Sequence, residues 1–272
     1  MKTGFSKNDY CDASQIEVPV VSIGLNRGYA AFDFMKVVNR KPFYTERHLD
    51  RFFRTMSILR IEIPFSREEV KSIIETLAAK NTGTYYGLKF FAIPDETTGP
   101  EKFSSDLYIC PVDIPVHPDE IFEQGISLIT KEYIRFLPEA KSTNYLPAMF
   151  WGNEMEKHHA MEILYCFNGQ IFETSRSNIF IVNKGHVYTP DSNVLKGITR
   201  SIVADLLREK QIPFTEKEVS VAGLFAADEV FITGTTKAVM PVVKIDGKTI
   251  ADGRVGEISR ELLAAYNNLL PE

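Results

Sequence analysis

The sequence predicts a two-domain α+β protein, and three observations carry that prediction. The chain has 272 residues, 44% of them hydrophobic, enough to bury a sizeable core in each of two modest domains. Strand-like and helix-like runs alternate in its first half and resume, mixed, in its second. Between them Pro111-Val-Asp-Ile-Pro-Val-His-Pro118 carries three prolines, which neither continue a helix nor pair inside a sheet. The boundary is therefore drawn as a linker at residues 113–121, with a small domain over 1–112 and a larger one over 122–272.

Ala30 to Val38 is rich in β-branched and aromatic residues and reads as a strand, with Lys41-Pro-Phe-Tyr44 as its hairpin partner. Thr45 is then placed to cap a helix running to Arg60, because Leu49, Phe52, Phe53, Met56 and Leu59 recur at helical spacing. Ser66-Arg-Glu-Glu69 is a capping box, and Val70, Ile73, Ile74 and Leu77 behind it form one apolar stripe that ends before Gly83. Tyr85 to Ile93 and Asp106 to Val112 read as apolar strands.

Beyond the linker, strand Ile126 to Ile134 leads into a loop holding Lys141, a helix over about 147–159, and strand Ile163 to Cys166. Asn168-Gly169 marks a hairpin into strands at Gln170 to Glu173 and Asn178 to Val182. A helix from Thr199 to Lys210, a strand at Glu229 to Thr233 and a closing helix from Gly256 to Leu270 complete the second half.

The formal net charge of −5 and pI near 5.7 give no electrostatic reason for a nucleic-acid partner. Cys11, Cys110 and Cys166 are odd in number and widely spaced, which argues against a disulfide framework and a zinc site and fits a reducing cytoplasm. His158 and His159 point about 100° apart on a helix and share no ligand face, so no metal is expected. The first ten residues have no signal-peptide core, and no stretch is apolar enough to span a bilayer.

Several residues carry chemistry. A lysine such as Lys141 becomes a nucleophile when burial near a cation lowers its pKa. From periodicity alone Glu173 reads as a solvated hairpin glutamate; turned inward, it needs a proton-bearing partner. Gly197-Ile-Thr199 sits where a loop enters a helix, so free amides and the positive dipole end face an anion, unless Thr199 is only a cap. Gly234-Thr235-Thr236 follows a strand and offers a second turn with hydroxyls. Arg51 is a suitable charged donor for a phosphate, whereas Arg47, one turn away, reads as a solvated neighbour.

Taken in order, Arg47-His-Leu-Asp-Arg51, Lys141-Ser-Thr-Asn-Tyr145, Glu173 with Asn178-Ile-Phe180, Gly197-Ile-Thr199 and Gly234-Thr-Thr236 resemble the fold-type IV (class IV) aminotransferases that use pyridoxal 5′-phosphate (PLP), over nearly the whole chain. The resemblance implies a small N-terminal α/β domain and a larger α/β pseudo-barrel, joined as a homodimer with its active site at the interface. It assigns Lys141 as the Schiff-base lysine and proton shuttle, and Tyr145 to the cofactor-binding set. It pairs Glu173 with the pyridine nitrogen, and gives the phosphate to Arg51, Gly197, Ile198, Thr199, Thr235 and Thr236.

The spacing from Lys141 to Tyr145 looks like the D-amino-acid branch, with D-glutamate or D-alanine as donor and a 2-oxo acid as acceptor. That branch carries an Arg-x-His carboxylate trap where this chain has Ile93-Pro-Asp-Glu-Thr-Thr98. Candidates to rebuild the trap are Arg27, Lys89 and Arg176, Arg27 reading equally well as a surface residue at a strand start. The same resemblance admits a 4-amino-4-deoxychorismate lyase or a branched-chain L-amino-acid aminotransferase.

Overall fold

A computed structural model of the chain describes residues 2–95 and 103–272. It divides into two units: Met1–Pro115 with Ala140–Asn144 and Leu270–Glu272, and Val116–Glu139 with Tyr145–Leu269.

The first unit opens with an antiparallel hairpin, β1 (Thr3–Ser6) and β2 (Asp9–Asp12), whose strands are too short to announce themselves in the sequence. Helix α1 (Ile23–Arg27) is capped by the Ser22 hydroxyl and ends at Gly28 in the left-handed region, φ 61°. Strands β3 (Ala31–Val38) and β4 (Lys41–Pro42) form the expected hairpin. In α2 (Thr45–Leu59) Thr45 is the first helical residue and not the cap, because the tight exit from β4 puts Tyr44 at φ 56° ahead of it with no side-chain cap. After β5 (Ile61–Glu62), α3 (Arg67–Lys80) starts at the capping box, with Ser66 and Glu69 bonding each other's backbone N–H.

Strands β6 (Tyr85–Pro94) and β7 (Phe103–Val112) complete a sheet of order β2-β1-β7-β6-β3-β4, with β5 beside β7. Pro111 lies within β7 opposite Leu88, inside the strand expected over Asp106 to Val112, although the proline run is expected not to pair inside a sheet. It is tolerated there because the register of β1 on β7 runs only through Ile109 and Tyr108, so β7 has one neighbour at that end. The apolar stripes of α2 and α3, including Leu49, Phe52, Met56, Ile74 and Leu77, pack on Met35, Val37, Leu88 and Phe90 of the sheet. Each such side chain contributes about 1.5–3 kcal/mol on burial.

The strip carrying Lys141 clusters with this first unit, whereas the sequence places it in the second domain. The reason is hydrogen bonding. Phe32 N–H donates to the Lys141 carbonyl and Thr143 N–H to that of Ala30, both at 3.0 Å, and Lys141 N–H donates to Thr55 Oγ1 at 3.1 Å.

In the second unit, α4 (Asp119–Gln124) precedes β8 (Ile126–Glu132). The single helix expected over 147–159 is two short ones, α5 (Leu146–Phe150) and α6 (Gly152–Lys157). Gly152 is a weak helix former, and the Trp151 ring at the break lies 6.0 Å from that of Tyr133. Strands β9 (Glu162–Phe167) and β10 (Gln170–Thr174) are joined by the Asn168-Gly169 turn, both residues at positive φ, 48° and 74°.

The chain continues through β11 (Asn178–Asn183), β12 (His186–Thr189), α7 (Ile198–Glu209), β13 (Phe214–Glu216), β14 (Val219–Ser220) and α8 (Val221–Phe225). It ends with β15 (Glu229–Gly234), β16 (Ala238–Ile245), β17 (Lys248–Thr249) and α9 (Glu257–Asn267). Among the described residues the sheet runs β11-β15-β16-β8-β9-β10, and the pairing of Glu173 with Asn178 joins β10 back to β11, closing a barrel. One core cluster takes a residue from each barrel strand: Leu128, Leu164, Ile171, Ile179, Ile232 and Met240.

Candidate active site

Alternation along β3 sends Asp33 to the side of Met35 and α2, and Phe32, Phe34 and Lys36 to the other face. Asp33 is fully buried. Its carboxylate accepts from Arg51 Nε at 2.7 Å and Nη2 at 2.6 Å, and lies 2.8 Å from His48 Nδ1. Burial alone would push the Asp33 carboxyl up, yet Arg51 first and His48 second hold it well below the usual carboxylate range. His48 is lowered, chiefly by burial, with the charges of Arg51 and Lys141 adding to that and Asp33 opposing it. Arg51 is thus a fixed cation, positioned by Asp33 and His48, which lie in matched motifs but were given no role by sequence reading; Arg47 rests over the Tyr44 ring instead.

On the opposite face Phe32, Phe34 and Lys36 stand against Phe91, Lys89 and Gly87 of β6. Lys141 Nζ lies 4.6 Å from the Phe32 ring centroid and Lys89 Nζ 5.9 Å from that of Phe34. Lys36, absent from the sequence-derived set, is buried, which lowers its pKa to about 8. Arg27 is exposed at the end of α1, its guanidinium donating to the Asn26 carbonyl at 3.2 Å. Residues 96–98 of the segment aligned with the carboxylate trap lie outside the described residues.

In the second unit Glu173 is buried on β10, not solvated, and the barrel-closing pair seats it beside Asn178. Its Oε1 receives Arg135 Nη1 at 2.8 Å and its Oε2 the Leu195 N–H at 3.0 Å. Burial works against the Arg135 charge, but Glu173, helped by Tyr145 and Tyr165, raises the guanidinium pKa. Arg135 is the partner sequence reading missed; only its place at the end of a strand, before the Lys141 loop, hinted at it. Arg176 is exposed three residues from Glu173.

The phosphate turns converge within this unit. Asn178 Nδ2 donates to the Leu195 carbonyl at 2.7 Å, and its Oδ1 would stand 2.2 Å from a Cβ at position 197, so only glycine passes there. Gly197 is the N-cap of α7 with no side-chain cap, leaving the first-turn amides of buried Ile198 and Thr199 to an outside acceptor. Asn178 also pairs with Thr233, which leads into the Gly234-Thr235-Thr236 turn and whose buried hydroxyl has no partner among the described residues. These donors suit a phosphate, and a buried carboxylate locked as an acceptor suits a protonated ring nitrogen. Among the described residues no group of His, Cys, Asp and Glu could hold a metal ion.

The family model for amino-transferase class IV matches residues 30–245. The D-alanine aminotransferase of Listeria monocytogenes is 29% identical over 265 residues, covering 94% of this chain and 91% of that protein. A branched-chain amino acid aminotransferase from T.th., solved with pyridoxamine 5′-phosphate, superposes with a TM-score of 0.91 at 25% identity, over 98% of this chain and 94% of that one. The branched-chain amino acid aminotransferase of Escherichia coli does so at 0.88 and 26%, over 99% and 94%.

Proposed function

The chain belongs to the class IV aminotransferase family, with PLP as its cofactor, and we propose that it moves the amino group of a D-amino acid, D-alanine or D-glutamate, to a 2-oxo acid. The observation that carries the choice of D-amino acids is the spacing from Lys141 to Tyr145, and the likeness to D-alanine aminotransferases along the chain supports it. A second reading, transfer from branched-chain L-amino acids, is favoured by the solved branched-chain enzymes of the same fold.

When bound, PLP supplies an aldehyde carbon for the amine and an electron-withdrawing ring. In this reading Lys141 would hold the cofactor through its Nζ and would be the base that moves the proton of the substrate α-carbon. Glu173, ion-paired with Arg135, would accept the proton-bearing pyridine nitrogen as its partner. Arg51, the amides of Gly197 to Thr199, and Thr235 and Thr236 hold the phosphate, and Tyr145 packs beside the cofactor. Lys89 and Arg176 take substrate carboxylates together with Arg27, which acts on the partner copy's site in a homodimer. Leu146, Met149 and Phe150 of α5 are 75%, 67% and 76% exposed, apolar side chains that a second copy would cover and that support the dimer. Three free cysteines support a reducing cytoplasm.

The test is a panel of D- and L-amino acids with 2-oxoglutarate, read as product amino acid. Turnover of D-alanine or D-glutamate is expected. Turnover of L-leucine and L-valine alone installs the second reading, and pyruvate released from 4-amino-4-deoxychorismate without an acceptor makes the enzyme a lyase.

A further inference from the structure

A buried ionic cluster links two turns of the second unit, one directly after Glu173 and one directly after Thr233. Glu162 on β9 is 2% exposed and Lys237 is 8% exposed, and Lys237 Nζ stands 2.6 Å from Glu162 Oε1. The same Oε1 accepts from Ser177 Oγ at 3.2 Å, while Oε2 receives the Thr174 hydroxyl. Thr174 and Ser177 bracket the turn that directly follows Glu173, and the Ser177 N–H donates to Thr174 Oγ1 at 2.9 Å. Lys237 ends the other turn: its N–H donates to the Gly234 carbonyl at 3.0 Å, closing a three-residue loop between the paired residues Gly234 and Ala238. The two turns touch, since a Cβ on Gly234 would meet Ser177 Oγ at 3.0 Å.

This hairpin ends on a residue that resists its own conformation. Ala238 has φ 51°, in the left-handed region that such loops normally give to glycine or asparagine, and it is buried. A non-glycine residue persists there only where its surroundings over-determine it. The charged contact that the turn makes inward is the Lys237 ammonium on Glu162. Within the sheet alone, a lysine at this place has no reason to be buried, because a solvated ammonium costs nothing.

We propose that Lys237 and Glu162 are positioning residues that clamp the Gly234-to-Thr236 turn onto the Glu173-to-Ser177 turn, holding the donors of one against the acid of the other. The proposal rests on the reading of these turns as cofactor ligands. Neither residue touches the reacting atoms; they act through Thr235, Thr236 and Glu173.

The test uses the double variant Glu162→Gln/Lys237→Met, which leaves no lone buried charge, together with the same protein carrying Ala238→Gly. Both are stripped of cofactor, checked for folding by thermal melting, and titrated with PLP, and kcat and KM are measured on the reloaded enzymes. The clamp predicts a Kd for PLP raised by about tenfold or more, the scale on which outer partners of ligating groups act in metal sites. KM for the amino acid should move far less. Ala238→Gly should recover much of the affinity, because the turn then adopts its shape without a tether. A folded double variant that binds PLP as the parent does overturns the proposal, as does a loss that Ala238→Gly fails to relieve. A parent protein that takes up no PLP overturns the cofactor reading instead.

Discussion

Replacing Asp33 by asparagine removes one charge from the most tightly buried ionic group of the first unit. Arg51 keeps its guanidinium, 10% exposed, with two N–H groups that had bonded the carboxylate at 2.6 and 2.7 Å. One of them now faces an amide donor whichever way the new side chain is turned, and the cation is left without its counter-charge. Breaking one side of a buried pair costs about 3–5 kcal/mol, and for a chain of this length each kcal/mol moves the melting temperature by about 2–4 °C, so a fall of roughly 6–20 °C is expected. Scanning calorimetry on the cofactor-free protein reads this without the stabilisation a bound ligand adds. Adding Arg51→Met removes the stranded cation, and much of the lost stability should return, since an apolar pair of similar volume is often neutral. PLP affinity should not return. A charged hydrogen bond to phosphate contributes about 1.5–3 kcal/mol, so Kd should rise by roughly 10- to 150-fold. A single variant that melts within about 1 °C of the parent would refute the energetic argument, given the cost of a lone buried charge. A double variant with parental PLP affinity would remove Arg51 from the phosphate site.

Substituting Lys141→Ala should abolish both the cofactor's imine absorption and transamination, and borohydride reduction of the parent followed by peptide mapping should label Lys141 and no other lysine. Glu173→Gln should keep PLP but slow the half-reaction with a D-amino acid, measured in a single turnover; an undiminished rate removes Glu173 from the chemistry. Acidification should weaken the first unit through His48, whose folded pKa is lowered mainly by burial. Its contribution is whole above the unfolded value near 6.5 and is lost as pH falls below it, with a slope of at most about 1.4 kcal/mol per pH unit. His48→Gln should flatten that slope in melts between pH 7 and 5, and comparison with the parent separates it from His117, which burial also lowers. Arg27→Ala should raise KM for the D-amino acid by about tenfold, as loss of a charged carboxylate contact implies, with PLP affinity unchanged; an unaltered KM returns Arg27 to the surface.

Local signals carried the elements that depend on their own residues. The Ser66 box, the stripes on α2 and α3, and the Asn168-Gly169 turn are set by short-range hydrogen bonds, spacing and backbone conformation, and all three stand as read. The helix over 147–159 broke at Trp151, where Gly152 follows as a weak helix former and the ring lies against that of Tyr133, distant in sequence. Pro111 entered a strand because a proline's missing N–H matters only where a neighbour needs it.

The sequence by itself determined which residues are chemically apt: a lysine, an acid and two glycine turns in an order that marks the family. The tertiary structure alone decided their partners. Nothing local to Glu173 names Arg135, 38 positions away, and nothing near Arg51 shows that Asp33 and His48 will fix it. Burial converts these charges from solvated groups into obligatory pairs, and burial is a property of the closed barrel and the packed sheet, which no window of the sequence contains.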